Sequence, residues 1–440
     1  MNEIAGWGRY PVVQGNERFS EDLEAATRET LLVRGLGRSY GDASLPPGEG
    51  RTVTNSTLAD RLIAFDDETG LLRAEAGFSL FDLNRLFWPR GWATPVSPGT
   101  QFVTLGGMVA SDVHGRSHHV KGCFGEHVRA LRMRVADGRI LEVTEASEPE
   151  LFRATLGGMG LTGHILEVEV QLEAIPSSWI WSESERVDNL AELLSTLRES
   201  SRAWPFTACW VDSLKRGKQM GRGFVTRGRW AEPHEAPDAP PAPRRGPSVP
   251  FNFPAWVLGP FSISIFNSLI FHTHGRKTKR GVIHPWRFTY PLDVIGSWNR
   301  IYGRRGFAQY QCVLPIEKDP NVVQRFFEVM TSSGVASFLT VVKDCGAEGR
   351  GMLSFPKPGI SIALDIPMHP TRTQATTDAL NEVVIAAGGR IYLAKDALTR
   401  PDHFRAMEPR FEAWNAVRKK WDPEGSIRSA LSVRLMGDEE

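Results

Sequence analysis

Three glycine clusters hold the residues of this chain best suited to bind a charged ligand. The first is Arg34-Gly35-Leu36-Gly37-Arg38-Ser39-Tyr40-Gly41-Asp42. The second runs from Ser97-Pro98-Gly99 through Thr104-Leu105-Gly106-Gly107 to Ser111-Asp112-Val113-His114-Gly115. The third is Gly157-Gly158-Met159-Gly160-Leu161-Thr162-Gly163. Glycine adopts positive φ and lets backbone N–H groups come close to a ligand. Successive exposed N–H groups form an anion-binding nest. Three such loops point to one large anionic ligand, and a dinucleotide pyrophosphate is the natural candidate. This is not a Rossmann fingerprint, because the third glycine of GxGxxG falls at Tyr40, and no GxxxxGK[ST] occurs.

The elements that must position these loops follow from hydrophobic period. Leu31-Leu32-Val33 is a short apolar run leading into the first loop. Leu71 to Ala76 reads as a strand and Phe81 to Trp88 as a short helix. Val128 to Val135 and Ile140 to Val143 flank Asp137-Gly138 and read as a hairpin. Gly163 to Leu172 alternates apolar and polar residues. Further on, strands are expected at Phe307 to Leu314, Val335 to Lys343, Ile360 to Ile366 and Ile391 to Leu393. Helices are expected at Asn321 to Met330 and Thr373 to Ala387, the latter stopped by Gly388-Gly389. That order makes two strand–helix–strand units, a small sheet with helices on one face. Alternation puts Gln309 and Gln311 on one face, and likewise Ser361, Ala363 and Asp365. A helix from about 402 to 420 closes the chain. No internal repeat of fixed period is visible.

Composition narrows the classes. At ~150 residues per domain, 440 residues suggest two or three domains. The chain is 41% hydrophobic with net charge +1, which excludes a disordered chain and gives no overall drive toward nucleic acid. Cys123, Cys209, Cys312 and Cys345 are widely spaced, without CxxC or Cys/His pairing. A disulfide framework or a structural metal site is not expected. The first residues lack an apolar h-region, so the expected compartment is the cytoplasm.

The middle of the chain is less regular. Pro233, Pro237, Pro240, Pro241, Pro243, Pro247 and Pro250 mark an irregular or mobile loop. Residues 250–275 then carry no Asp, Glu, Lys or Arg, and Arg276-Lys277-Thr278-Lys279-Arg280 follows directly. Three readings stay open for that segment: a membrane span, a buried or lid segment, or a surface that dips into a membrane, with the adjacent cations on anionic headgroups.

RGLGRSYGD, SPGTQFVTLGGMVASDVHG and ATLGGMGLTG together resemble the vanillyl-alcohol-oxidase (PCMH-type) FAD flavoproteins. Within them, HGRSHHVKGCFGEHV, SWNRIYGRRGFAQYQCVLP and GGRIYLAKD are most similar to the decaprenylphosphoryl-β-D-ribose 2-oxidase branch, which serves arabinan-precursor synthesis. The resemblance covers most of the chain and is weakest from about 215 to 285. It implies an α+β, two-domain fold with a cap built on an antiparallel sheet flanked by helices. Residues 1–176 would bind FAD, 177–389 would form the substrate cap, with a mobile loop at about 231–285, and 390–440 would return to the FAD domain.

The resemblance also implies roles. Arg34, Gly35, Gly37, Arg38, Ser39, Tyr40 and Gly41 would wrap the FAD pyrophosphate. Gly99, Thr104, Gly106, Gly107, Ser111 and His114 would line the flavin, His164 the adenine side, and Tyr392 would return to touch FAD. Arg38 stands where many relatives carry the histidine that bonds FAD, so FAD should be noncovalent. Cys123 should be a buried thiol rather than an attachment point. Lys395, His114 and Tyr40 would be the catalytic group, with His114 a candidate base. Gln309, Gln311, Lys343, Ser361, Ala363 and Lys395 would face the substrate, Lys343 pairing with a phosphate, and Trp210 would stand in the pocket wall. Ala363 replaces a cysteine of the mycobacterial enzymes, Ser361 a larger amide, and Thr289-Tyr290-Pro291 differs from Tyr-His-Pro. The implied reaction is oxidation of a sugar hydroxyl to a ketone, on a polyprenylphosphoryl ribose or alternatively a soluble sugar, alditol or aldonolactone. A partner NADH-dependent keto-sugar reductase would complete an epimerisation.

Overall fold

The computed structural model describes residues 1–241 and 246–440. Pro243 of the proline-rich stretch lies outside them. The first 175 residues build two larger sheets and a short two-stranded one, Trp92–Ala93 with Glu173–Ala174. A four-stranded sheet has the order Asn2–Ala5, Val12–Phe19, Thr52–Asn55, Val33–Arg34, with the last two pairings parallel. A five-stranded antiparallel sheet has the order Leu62–Phe65, Leu71–Glu75, His164–Gln171, Val128–Arg134, Ile140–Thr144. The alternation read in 163–172 is realised here. Leu166, Val168 and Val170 are buried, while Glu167 and Glu169 face Arg73 at 2.7 and 3.9 Å. Gly138 has φ +90°, as the hairpin turn requires.

From residue 180 to 391 the chain forms one eight-stranded antiparallel sheet. Its order is Lys279–Ile283, Ile180–Val187, Gly223–Trp230, Phe206–Val211, Thr340–Cys345, Gly359–Pro367, Phe307–Leu314, Arg390–Ile391. Read by topology, this is a strand–helix–strand–strand–helix–strand unit used twice. Each copy has the spatial order fourth, first, third, second strand. The copies meet where Cys209 faces Val342 and Trp210 faces Val341. The repeat has no fixed period because its connections differ. From third strand to second helix the chain spends 231–259 in the first copy and only 368–372 in the second.

One face of this sheet is the larger core. Leu193 and Leu197 of the helix Leu190–Ala203 pack there with Phe326, Phe327, Leu380 and Val384 of the second copy's helices, against Cys209, Val225, Cys312 and Ile362. Tyr310 points to this side and its hydroxyl donates to Asn381 Oδ1 at 2.8 Å. The pleat therefore sends its neighbours Gln309 and Gln311 to the opposite face.

Two expectations need correction. The strand expected from 335 begins only at Thr340, because Ser337 ties up the preceding backbone, bonding Leu339 O and the N–H groups of Leu339 and Asp365. The C-terminal helix is two helices, Pro401–Met407 and Phe411–Trp421. They break at Pro409, which has no N–H to continue the ladder. A further helix, Ala430–Met436, follows them. The uncharged segment forms the 14-residue helix Pro260–Thr273, about 21 Å long. No helix among the described residues is long and apolar enough to cross a membrane.

Candidate active site

A cavity of about 1320 Å³ lies between the glycine loops and the polar face of the eight-stranded sheet. The first loop leaves the strand Val33–Arg34 and turns at Gly37, φ +63°. Arg34 braces it from behind, paired with Glu17 at 3.0 Å and donating to Ala5 O and Ser44 O. A Cβ on Gly35 would sit 2.3 Å from Thr104 Oγ1, so only glycine lets the first and second loops touch. Thr104 in turn accepts from Gly107 N–H and caps the helix Leu105–Ala110.

The C-terminal return closes the ring. Tyr40 N–H donates to Ala394 O at 2.9 Å, and Tyr392 Oη donates to Ser111 O at 2.9 Å. A Cβ on Gly41 would lie 1.8 Å from Asp396 O, so this glycine admits the returning strand. Arg434 locks the arrangement through Asp42 and Asp396 at 2.7 and 2.9 Å.

The expected cofactor residues fall in two groups. Gly35, Gly37, Arg38, Ser39, Tyr40, Gly99, Thr104, Gly106, Gly107, Ser111, His114, His164 and Tyr392 all line the cavity. Arg34 and Gly41 do not. They hold the loop and the return in place. The N–H groups of Gly37, Arg38 and Ser39 donate to no acceptor among the described residues, which is the nest a pyrophosphate needs. These donors, and the buried, unpartnered Nδ1 atoms of His114 and His164, fit FAD. Arg38 lies 4.2 Å over the Trp7 ring and faces Asp293, whose carboxyl burial pushes up to about 6. Cys123 is fully buried, is not part of the cavity wall, and burial holds its thiol protonated.

The polar face of the sheet forms the opposite wall with Gln309, Gln311, Lys343, Ala363 and Lys395. Lys395 Nζ sits 3.8 Å over the Tyr40 ring. Burial pushes its ammonium down to about 7, with Asp365 working against that shift and Lys343 adding to it. Asp365 is fully buried. It accepts from Gln309 Nε2 at 2.6 Å and from Tyr302 Oη at 2.7 Å, and burial pushes its carboxyl up to about 6. His114 Nε2 lies 2.8 Å from Gln311 Nε2, so it accepts the amide hydrogen. Burial, then Lys343, His118 and Lys395, drive His114 well below its ordinary value, and it stays neutral. Burial also pushes Lys343 down to about 8 and Arg116 to about 10. No salt bridge forms at either among the described residues.

Two expected residues are elsewhere. Ser361 is fully buried behind the wall and reaches the cavity only by accepting from Gln311 Nε2 at 3.2 Å. Trp210 stacks on Phe224 at 4.9 Å and donates to Phe338 O, outside the cavity wall. Sequence reading also passed over residues that matter. Arg116 and Asp293 line the cavity, and Tyr302 orients Asp365. Arg116 sits inside the HGRSHH motif, next but one to His114, and that proximity was an available signal. Tyr302 lies in a short 3₁₀ turn, Trp298–Tyr302, with no periodic pattern to mark it.

Comparison with known proteins agrees with this geometry. The family described as FAD binding domain matches residues 21–144. The chain is similar to the decaprenylphosphoryl-beta-D-ribose oxidase of Mycolicibacterium smegmatis, 32% identical over 98% of this chain and 97% of that one. It is also similar to a putative D-arabinono-1,4-lactone oxidase of Neurospora crassa, 24% identical over 92% of this chain and 78% of that one. Bos taurus L-gulonolactone oxidase is 29% identical over 35% of either chain.

Proposed function

This chain belongs to the PCMH-type FAD-dependent oxidoreductases that include decaprenylphosphoryl-β-D-ribose oxidase, and from that premise we propose that it oxidises the 2-hydroxyl of a polyprenylphosphoryl-β-D-ribose to a ketone. Noncovalent FAD is part of this reading, since Arg38 offers no nucleophile and Cys123 lies outside the cavity wall. Residues 1–176 would hold FAD, 177–389 would cap the substrate, and 390–440 would bring Lys395 back to the FAD side. A separate NADH-dependent reductase would return the ketone as the epimeric alcohol.

One observation carries the choice of a phosphorylated sugar. Arg116, Lys343 and Lys395 all face the same inner cavity, and among the described residues a carboxylate, Asp365, acts on Lys395 alone. A wall with that surplus of buried cations favours an anionic substrate over a neutral lactone.

Bound FAD supplies the hydride acceptor. The chain's own residues do the rest. Lys395, held near neutrality by burial, exchanges a proton at Nζ within the physiological range. Asp365 keeps that nitrogen from losing its charge altogether, and Gln309 and Tyr302 fix the carboxylate. His114, neutral with Nε2 occupied by Gln311, offers the Nδ1 hydrogen to a ligand atom. Lys343 and Arg116 attract the phosphate.

The similarity to lactone oxidases supports a second reading, oxidation of a soluble sugar, alditol or aldonolactone. Anaerobic bleaching of the flavin near 450 nm separates the two. Bleaching by a polyprenylphosphoryl ribose and not by free pentoses, alditols or lactones is expected. Bleaching by a free sugar or lactone alone overturns the lipid-linked reading.

A further inference from the structure

The Pro260–Thr273 helix is built inside out. Its buried positions include Asn267, which donates to Asp212 Oδ1 and to Ser337 O, alongside Ile263 and Phe271. Ser268 accepts from Arg222, and His274 just beyond the helix bonds Ser184. Its outward positions up to Leu269 are apolar. Phe261, Ile265 and Leu269 recur every fourth residue and form one stripe. Phe261 is 80% exposed and Leu269 59%, with Phe266 and Phe251 exposed nearby. Polar groups anchor the helix and large hydrophobic groups face outward, the reverse of an ordinary surface helix. A patch of this kind marks an interaction surface.

Charge around the patch is one-sided. Residues 246–306 hold eight of the chain's 52 Lys and Arg but only one of its 51 Asp and Glu, the Asp293 that lines the cavity. Arg276, Lys277, Lys279 and Arg280 follow the helix and are exposed. Arg280 pairs with Glu183, whereas no ion pair forms at Arg276 or Lys277 among the described residues. The patch is also continuous with the cavity. Val249 N–H donates to Gly296 O at 2.8 Å and Phe253 N–H to Arg300 O at 2.9 Å. Ile295, Gly296, Ser297 and Trp298 of that partner strip line the cavity.

We propose that this face docks on an anionic lipid bilayer, with Phe261, Ile265 and Leu269 in the headgroup boundary and Arg276 to Arg280 on the lipid phosphates. Apolar burial plus electrostatic attraction is how interfacial helices bind. Docked so, the 295–298 rim of the cavity lies at the membrane, and a lipid-anchored substrate enters without its chain crossing water. That last step rests on the lipid-linked reading; the docking itself does not.

The test uses the full-length FAD-loaded protein and vesicle co-sedimentation. Binding to phosphatidylcholine–phosphatidylglycerol vesicles, weakened by salt, is expected. Lys277→Glu with Lys279→Glu should weaken it roughly fivefold or more per residue. Phe261→Ser with Leu269→Ser should weaken it at least about tenfold. Both variants should keep the flavin spectrum and their turnover of a short-chain, water-soluble polyprenylphosphoryl sugar. Absence of binding at low salt overturns the proposal, as does binding that survives Phe261→Ser with Leu269→Ser. Self-association through this face without vesicle binding overturns it in favour of a protein partner. Vesicle binding without bleaching by the lipid-linked sugar would leave the docking and remove the substrate reading. Bleaching without vesicle binding would do the opposite.

Discussion

The two halves of the eight-stranded sheet share one topology and use it differently. In the second half, the helix Thr373–Ala386 packs on the apolar face through Leu380 and Val384. That leaves the other face free to carry Gln309, Gln311 and Lys343 into the cavity. In the first half, the equivalent helix Pro260–Thr273 has crossed to that other face. Its neighbour His274 stacks on Phe224 at 5.0 Å, and Phe224 on Trp210. The ladder places Trp210 opposite Val341, on the same face as Lys343. Both helices hold a fully buried asparagine, Asn267 and Asn381. One secures a helix to the apolar side and the other secures it to the polar side. Topology thus sets where strands lie, and the polar anchors decide whether a half becomes a reaction wall or an outer surface.

The comparison breaks first at Lys395. Lys395→Met should lower kcat/KM about 10³-fold or more while the flavin absorbance of the purified protein persists, since the hydrogen bonds that hold the loops do not involve Nζ. Retained turnover would move the chemistry off this wall.

Asp365→Asn should act less strongly and in a directed way. The carboxylate raises the Lys395 value against burial, so its removal lets that value fall below about 7. If the neutral amine takes the substrate proton, kcat rises as pH passes upward through the Lys395 value. In Asp365→Asn that rising limb should move to lower pH by about one unit. A limb that does not move, in a variant that still binds FAD, assigns the titration to another group.

Asn267→Leu tests the first half. It removes the donor to Asp212 and Ser337, and a bond to a charged group is worth about 2 kcal/mol. Limited proteolysis near 246–280 should speed up. Turnover of a water-soluble substrate should change less than about twofold. A large loss of turnover would make this helix part of the reaction wall.

Legibility in the sequence followed the same division. Two of the second half's strands read correctly because Phe307–Leu314 and Gly359–Pro367 are mainly apolar runs bounded by turns. The first half's strands were not assigned, because Ile180–Val187 and Gly223–Trp230 carry Glu and Arg on a face that builds ion pairs. The repeat stayed hidden for this reason and because its connections differ in length. The glycine loops were legible because a nest is local. Lys395 was placed by resemblance to a family, and its burial depends on the return of the chain against Gly41, which no local pattern encodes. The helix at 260–273 lacks charge on every side, so periodicity alone could not say which face turns inward.

The smallest expected effect sharpens the boundary between the sheet's two faces. Tyr310 stands between Gln309 and Gln311 in sequence, yet its hydroxyl is on the helix side, bonded to Asn381 Oδ1. Asn381 Nδ2 keeps its own bond to Thr399 Oγ1 at 3.2 Å. Tyr310→Phe removes one buried neutral hydrogen bond and no packing volume of consequence. It should cost about 1 kcal/mol, seen as a fall of roughly 2 °C in the melting midpoint of a chain this size. The kinetic constants and their pH profile should stay as in the parent, because the pleat separates this hydroxyl from the cavity by the thickness of the sheet. A change in the pH profile would mean that the helix-side hydrogen bonds reach Lys395 through the Gln309–Asp365 pair, and that the two faces of this sheet are coupled.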